Sequence, residues 1–174
     1  MGLILTGGLA SNAYAEVQLP PQESIDSSKR DVEAIVAFYG KLQDALNKKD
    51  LAAIMSFYAD DYNRQGITKN TIRNLWKNIF NNFDHLNSTH IFSSVVVKDK
   101  DAAITCTGML LGIPKASKDK NYEQIDKWAN MGHFLAKRNG KWQIIGGASH
   151  WLVQPKLKGY GRIEKYELEF HPLF

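Results

Sequence analysis

Cysteine is nearly absent from this sequence: Cys106 is the only one in 174 residues. An internal disulfide, a CxxC redox pair and a thiolate metal cage are thereby excluded, and a lone cysteine in an apolar strand acts as a small hydrophobe. Charge is missing from residues 1–15, and no segment beyond them approaches the length of a membrane span. No GxGxxG fingerprint, phosphate loop, GxSxG elbow or paired zinc spacing occurs. Charge of one sign is not concentrated either. The formal net charge is +4, and the nearest approaches to a basic cluster, Lys48-Lys49 and Lys118 to Lys120, each have an aspartate inside or beside them. A nucleic-acid footprint needs a concentrated basic stripe, so this excess reads as a solvated surface and no nucleic-acid partner is expected. No cofactor is expected.

The length suits one domain with a proper core. Residues 1–15 hold the apolar stretch Leu3-Ile4-Leu5 to Leu9-Ala10 and end in Ala13-Tyr14-Ala15. Small residues at those two alanine positions suit a signal peptidase, so cleavage after Ala15 and a periplasmic or secreted mature chain are expected. The apolar stretch is short and no Lys or Arg precedes it. We read it as the end of a longer leader. Residues 16–28 are polar, contain Pro20-Pro21 and show no period, which predicts a linker.

A helical period then begins. Val32, Ile35, Val36, Tyr39, Leu42 and Leu46 lie three and four apart, predicting a helix from about 29 to 47 that Ser27 or Ser28 caps. Asp50 caps a second, short helix with Leu51, Ile54, Met55 and Tyr58 inward. Thr68 or Asn70 opens a third, with Ile72, Leu75, Trp76, Ile79, Phe80 and Phe83 on one face. After Asn81-Asn82 the chain turns β-branched and aromatic, predicting strands over residues 90–98, 102–113, 128–137 and 141–151. Asn139-Gly140 closes a hairpin between the last two. Helices first and hairpin-linked strands afterwards mean α+β: three N-terminal helices on a strongly curved, mainly antiparallel sheet. Residues 152–174 form an extension in which Ile163, Tyr166, Leu168 and Phe170 suggest one more strand.

The phrase Phe57-Tyr58-Ala59-Asp60-Asp61 after the second helix, and Asn139-Gly140-Lys141-Trp142-Gln143-Ile144 in the last hairpin, occur in the order found in the nuclear transport factor 2-like superfamily. From 29 to 151 the chain resembles that superfamily, which includes ketosteroid isomerase and the SnoaL-like cyclases. The resemblance implies a cone-shaped domain, an apolar pocket between the helices and the concave sheet face, and a homodimer. It is silent on chemistry, because one fold hosts many activities. In ketosteroid isomerase-like members an aspartate base follows the ADD phrase by a few residues. Here that stretch reads Tyr62-Asn63-Arg64-Gln65-Gly66 and offers no carboxylate. Asp60 and Asp61 themselves are expected to brace the turn.

With Arg138 facing Lys141, His133 falls opposite Gly146 and Ala129 opposite His150. The two histidines then stand about 13 Å apart at about 3.3 Å per residue, too far for one zinc ion with bonds near 2 Å. His85 and His90 fall on opposite faces of any common strand. No metal site is expected. His133 shares an apolar face with Met131, Leu135, Ile144 and Ala148. It is both an ordinary core histidine and the best single candidate for a catalytic or pocket group. The other face pairs Trp128 with Trp151 and Asn130 with Ser149. The tryptophans serve equally as sheet-stabilising partners or as a dimer interface. Tyr39, Tyr58, Tyr62 and Trp76, with Asn130 and His133, complete the candidate ligand-binding set, having apolar bodies and polar tips. Three functional readings stay open. The first is an exported, non-catalytic domain binding a small apolar ligand or a partner protein. The second is a small isomerase, dehydratase or cyclase-type enzyme, and the third a dimeric envelope assembly module.

Overall fold

The computed structural model describes residues 17–147. The expected leader, Ala148, Ser149, His150, Trp151 and the extension after Trp151 lie outside the described residues.

Helix α1 (Lys29–Lys48) starts where Ser28 Oγ accepts the Asp31 amide at 3.2 Å and stops at Lys49, which turns left-handed at φ 52°. Val32, Ile35, Tyr39, Leu42 and Leu46 are buried as their spacing predicts, while Val36 is half-buried and Phe38 widens the stripe. Asp50 caps α2 (Leu51–Ser56) by accepting the Ala53 amide at 2.9 Å. Thr68 caps α3 (Lys69–Asn82), whose inward face is Ile72, Trp76 and Phe80, with Leu75, Ile79 and Phe83 half-buried beside them. Each cap satisfies an amide that the first helical turn would otherwise leave open.

The helices pack on a curved sheet of order β1-β5-β6-β7-β8. Its long strands are β5 (Phe83–Lys98), β6 (Asp101–Pro114) and β7 (Glu123–Arg138), closed by the short β8 (Lys141–Ile144). All three of their mutual ladders are antiparallel. Strand β5 begins at Phe83, well before the expected start at His90. The expected linker over residues 16–28 is also corrected. Val17–Gln18 (β1) and Ile25–Asp26 (β2) run parallel to β5, pairing Val17 with His90 and Ile25 with Val95. Without them the outer edge of β5 would present a row of open backbone groups. Two-residue parallel strands carry no period, so the sequence pattern could not announce them. A buried side chain ties α1 to the same strand: Gln43 Oε1 accepts from Ser88 N at 2.9 Å and Ser88 Oγ at 2.8 Å, and Gln43 Nε2 donates to Leu86 O at 3.1 Å.

Curvature comes from bulges. Register shifts interrupt β5–β6 between Asp84 and Asn87 and again between Phe92 and Ser94, and β6–β7 between Cys106 and Gly108. At the last of these, Cys106 faces Met131 and Gly108 faces Trp128, so Thr107 opposes both Ala129 and Asn130. Asn130 carries the extra residue at φ 51°, and its amide donates to Thr107 Oγ1 at 2.9 Å. The bulge reverses the alternation expected from the sequence. Trp128 turns inward to 1% exposure, and Asn130 turns out to solvent.

Asn139-Gly140 does close the last hairpin, with φ values of 51° and 76° and Arg138 paired to Lys141. The ladder ends at Leu135–Ile144, so the expected His133–Gly146 pair is not part of it. Instead the chain bends toward a small hairpin of β3 (Asn63–Arg64) and β4 (Ile67–Thr68). A Cβ on Gly146 would stand 2.2 Å from the Asn63 carbonyl carbon, so only glycine lets the two backbones meet. Beside it Ile144 and Phe57-Tyr58-Ala59 are stitched together, with the Ile144 amide donating to Phe57 O at 2.7 Å and the Ala59 amide to Ile144 O at 3.0 Å. These contacts hold the ADD phrase against the end of the sheet.

Candidate functional site

Strand alternation aims a row of chemistry-bearing side chains at the helices. His90 on β5, Cys106 on β6, and Trp128 and His133 on β7 all point inward. They meet Tyr39 from α1. The Tyr39 ring lies 4.6 Å from that of His90 and 6.5 Å from that of His133, and the two imidazoles are 6.4 Å apart. Trp128 stands 5.2 Å from His90 and 6.2 Å from His133. His90 is 0%, His133 1% and Tyr39 1% exposed. Among apolar walls of Phe92, Met131 and Leu135, this is a polar centre in an otherwise apolar core.

Tyr39 Oη is buried with no hydrogen-bond partner among the described residues. Burial, with Cys106 and Tyr58 as further electronegative neighbours, pushes its pKa well up, so the phenol stays protonated. Cys106 is held by the Trp128 indole, whose Nε1 donates to Sγ at 3.3 Å, and its Sγ lies 3.7 Å from His90 Nδ1. A cysteine beside a histidine invites comparison with a thiolate nucleophile, but burial pushes this thiol up to about 11, away from an activated thiolate.

The polar centre continues toward the β3–β4 hairpin. Trp76 Nε1 donates to Tyr58 Oη at 3.0 Å, and the rings of Tyr58 and Tyr62 meet edge to face at 5.4 Å. Tyr62 Oη is buried, again with no partner among the described residues. Two residues further along the chain comes Arg64, 7% exposed. Burial lowers the pKa of its guanidinium, with Tyr62 acting in the opposite sense. Tyr62 also lines a surface depression of about 520 Å³ formed with Asp60, Asp61, Asn63, Lys69 and Arg73.

The structure therefore brings Tyr39, Tyr58, Tyr62, Trp76 and His133 of the candidate set into one core. Asn130 stands apart, exposed on the bulge and bonded to Thr107. Trp128 belongs with the inner group, and a side chain so buried offers no surface to a second copy. Its expected partner Trp151 lies outside the described residues. His85 is exposed and His90 buried, on opposite sides as expected. Among the described residues no three His, Cys, Asp or Glu side chains gather in a metal-ligating cluster, and no helix is long and apolar enough to cross a membrane.

Sequence reasoning missed His90 and Arg64. His90 was legible in its alternation with Phe92. Arg64 lies in a short polar stretch whose residue types carry no local sign of its burial.

No protein-family model matches this chain, and no curated protein matches it. Solved structures do. A candidate aromatic ring hydroxylase from Novosphingobium aromaticivorans superposes with a TM-score of 0.53 at 18% identity, over 68% of this chain and 87% of that one. A conserved protein from Planctomyces limnophilus gives 0.53 at 14% identity, over 67% and 92%. Aln2 from a Streptomyces species gives 0.53 at 11%, over 68% and 88%. At such identities a shared fold is what the likeness shows. The fold is the nuclear transport factor 2-like cone.

In this cone the polar centre lies between the concave sheet face and the helices. The stretch after the ADD phrase, where the sequence resemblance would have put a carboxylate base, is Tyr62 and the β3–β4 hairpin. The two acids of the ADD phrase are engaged elsewhere. Asp60 accepts from Lys69 Nζ at 2.8 Å and Asp61 Oδ2 from Arg138 Nη2 at 3.1 Å. Those hydrogen bonds hold both carboxyls below the usual range, the opposite of what a base working near neutral pH requires.

Proposed function

We propose that this protein binds a small molecule with an apolar body and a hydrogen-bonding group inside its nuclear transport factor 2-like cone, without carboxylate-driven catalysis. The observation that carries this reading is the Tyr39 hydroxyl, buried and without a partner among the described residues. Burying a hydroxyl without compensation costs on the order of 1–3 kcal/mol, so a ligand group that pairs with it gains a well-placed contact. The surrounding rings of Phe92 and Trp128 supply the apolar walls, and His90 and His133 the few polar groups, typical of small-ligand sites. Titration of tryptophan emission with naphthalene and 2-naphthol tests it. The naphthol is expected to bind about 5-fold more tightly, the equivalent of one net hydrogen bond, and Tyr39→Phe to erase the difference. Failure of both compounds to bind, or a preference that survives Tyr39→Phe, removes the reading.

A small enzyme is the second reading, favoured by two imidazoles beside a phenol. An imidazole can move a proton near neutral pH without a carboxylate. Isomerisation of β,γ-unsaturated ketones above background, lost on His133→Ala, would establish it. The polar centre speaks against the third reading, an envelope assembly module with a wholly apolar interior.

Export and self-association are part of the proposal. Export rests on the uncharged residues 1–15 and the Ala13-Tyr14-Ala15 ending. Cleavage after Ala15 leaves β1 intact. Homodimerisation rests on the superfamily resemblance, and Ile91, 46% exposed on β5, is an apolar residue available on the outer sheet surface. Light scattering of the purified protein decides between one copy and two.

A further inference from the structure

We infer that Arg64, with the Tyr62 hydroxyl beside it, is the subsite for a carboxylate on the molecule bound in the cone, an inference that rests on the binding reading above. A guanidinium is costly to bury, and buried charges in folded proteins are paired. Arg64 is only 7% exposed as a residue, and among the described residues no carboxylate lies within ion-pair distance of it and no side-chain hydrogen bond reaches it. The acids nearest in sequence, Asp60 and Asp61, are committed to Lys69 and Arg138. Tyr62 Oη, its electrostatic neighbour, is a buried polar atom without a partner among the described residues. An unpaired guanidinium and an orphaned hydroxyl that feel each other electrostatically match an oxyanion. The planar fork of arginine favours carboxylate or phosphate, which accept two parallel hydrogen bonds, and the phenol supplies a third.

The hairpin is built to hold this geometry. Gln65 and Gly66 turn at φ 49° and 89°, Asn63 Oδ1 accepts the Gly66 amide at 3.0 Å, and Arg64 pairs with Ile67 across the turn. Gly146 presses against the backbone of Asn63 and Arg64 from the other side. The guanidinium thus springs from a fixed backbone, which is what pre-organised recognition requires. From Tyr62 the ring contact to Tyr58 leads toward Tyr39, whose pKa also registers Tyr58 as a neighbour. The ligand this arrangement fits is an aromatic or otherwise apolar acid. Its carboxylate lies at Arg64 and its body along the tyrosines. A free phosphate would satisfy the same two donors, so the test separates the sources.

The experiment compares 2-naphthoate, 2-naphthamide, 2-naphthol and sodium phosphate on the full chain and on Arg64→Met and Tyr62→Phe. We expect naphthoate to bind the parent at least 10-fold more tightly than the amide. That advantage should vanish in Arg64→Met and shrink in Tyr62→Phe, while 2-naphthol binds all three alike. If the naphthol binds but naphthoate and amide do not differ, the carboxylate subsite is wrong and the cone reading stands. If none of the aromatic compounds binds, both fall. If phosphate alone stabilises the parent but not Arg64→Met, the site takes free phosphate and the acid assignment is overturned. A further readout needs no ligand. Methionine keeps the apolar stem and deletes an unpaired charge from a largely buried residue, so Arg64→Met should melt at or above the parent temperature. A fall of several degrees would mean that the guanidinium is satisfied within the fold, and would overturn the inference.

Discussion

The indole of Trp128 lies directly over Gly108, its partner across the β6–β7 ladder, so closely that a Cβ on Gly108 would stand 2.6 Å from the ring and 2.1 Å from Thr89 O. The bulge at Asn130 that turns Trp128 inward and the missing side chain at position 108 are two halves of one device. Gly108→Ala is therefore expected to push against both the indole and the β5 backbone. Overpacking of this kind costs about 1–3 kcal/mol. Chemical denaturation should show a lower midpoint, with a changed near-ultraviolet circular dichroism signal from the displaced tryptophan. An unchanged midpoint and spectrum would mean that Trp128 does not occupy this place.

The helical phase of α3 is tested by neighbours. Trp76 is fully buried and donates to Tyr58, whereas Lys77 is exposed. Trp76→Ala should cost about 3–5 kcal/mol, a large part of the stability usual for a domain. Lys77→Ala should leave the melting temperature within a degree or so. Reversed outcomes would mean a helix rotated by one position.

The contrast between helices and sheet explains what could be read from sequence. Ser28, Asp50 and Thr68 cap the helices at sites their residue types announce, and Asn139-Gly140 announces its turn, because these signals are local. A bulge is not local. Whether Trp128 faces in or out depends on Thr107 accepting the amide of Asn130, a contact between residues 23 apart in the chain. The same limit hid the docking of β1 and β2, and the approach of Gly146 to the backbone of Asn63 and Arg64. His133 was legible because Met131, His133 and Leu135 alternate without interruption between the bulge and Ala136.

Asp61 offers a pH test. Arg138 lowers its folded pKa below the unfolded value, so the ion pair stabilises the fold above the unfolded carboxyl pKa, near 3.9, and is lost as pH falls through the folded value. The parent should therefore lose melting temperature on acidification below about pH 4, and Asp61→Asn should lose less over the same interval. The pair is exposed, so the difference should be small and should shrink in high salt. An Asp61→Asn profile that parallels the parent's would show that the pair contributes nothing.

Cys106 tests the interior from the alkaline side. Its thiol is buried, takes a hydrogen bond from Trp128, and has a pKa pushed up to about 11. In the unfolded chain it titrates near 8.5. Between those values the unfolded state has released the proton and the folded state has kept it, so the stability associated with this group falls as pH rises from about 9 toward 11. Below that window the folded thiol is both shielded and protonated. Folded protein at pH 8 should hardly react with Ellman's reagent, whereas protein in denaturant should release one equivalent within the mixing time. Cys106→Ser keeps a small side chain in the same place. The hydroxyl does not titrate over this range, so its melting temperature should decline less than the parent's between pH 9 and 11. Rapid labelling of the native protein at pH 8 would mean that Cys106 is reachable from solvent. The wall formed by His90, Cys106 and Trp128 would then open far more readily than its packing implies.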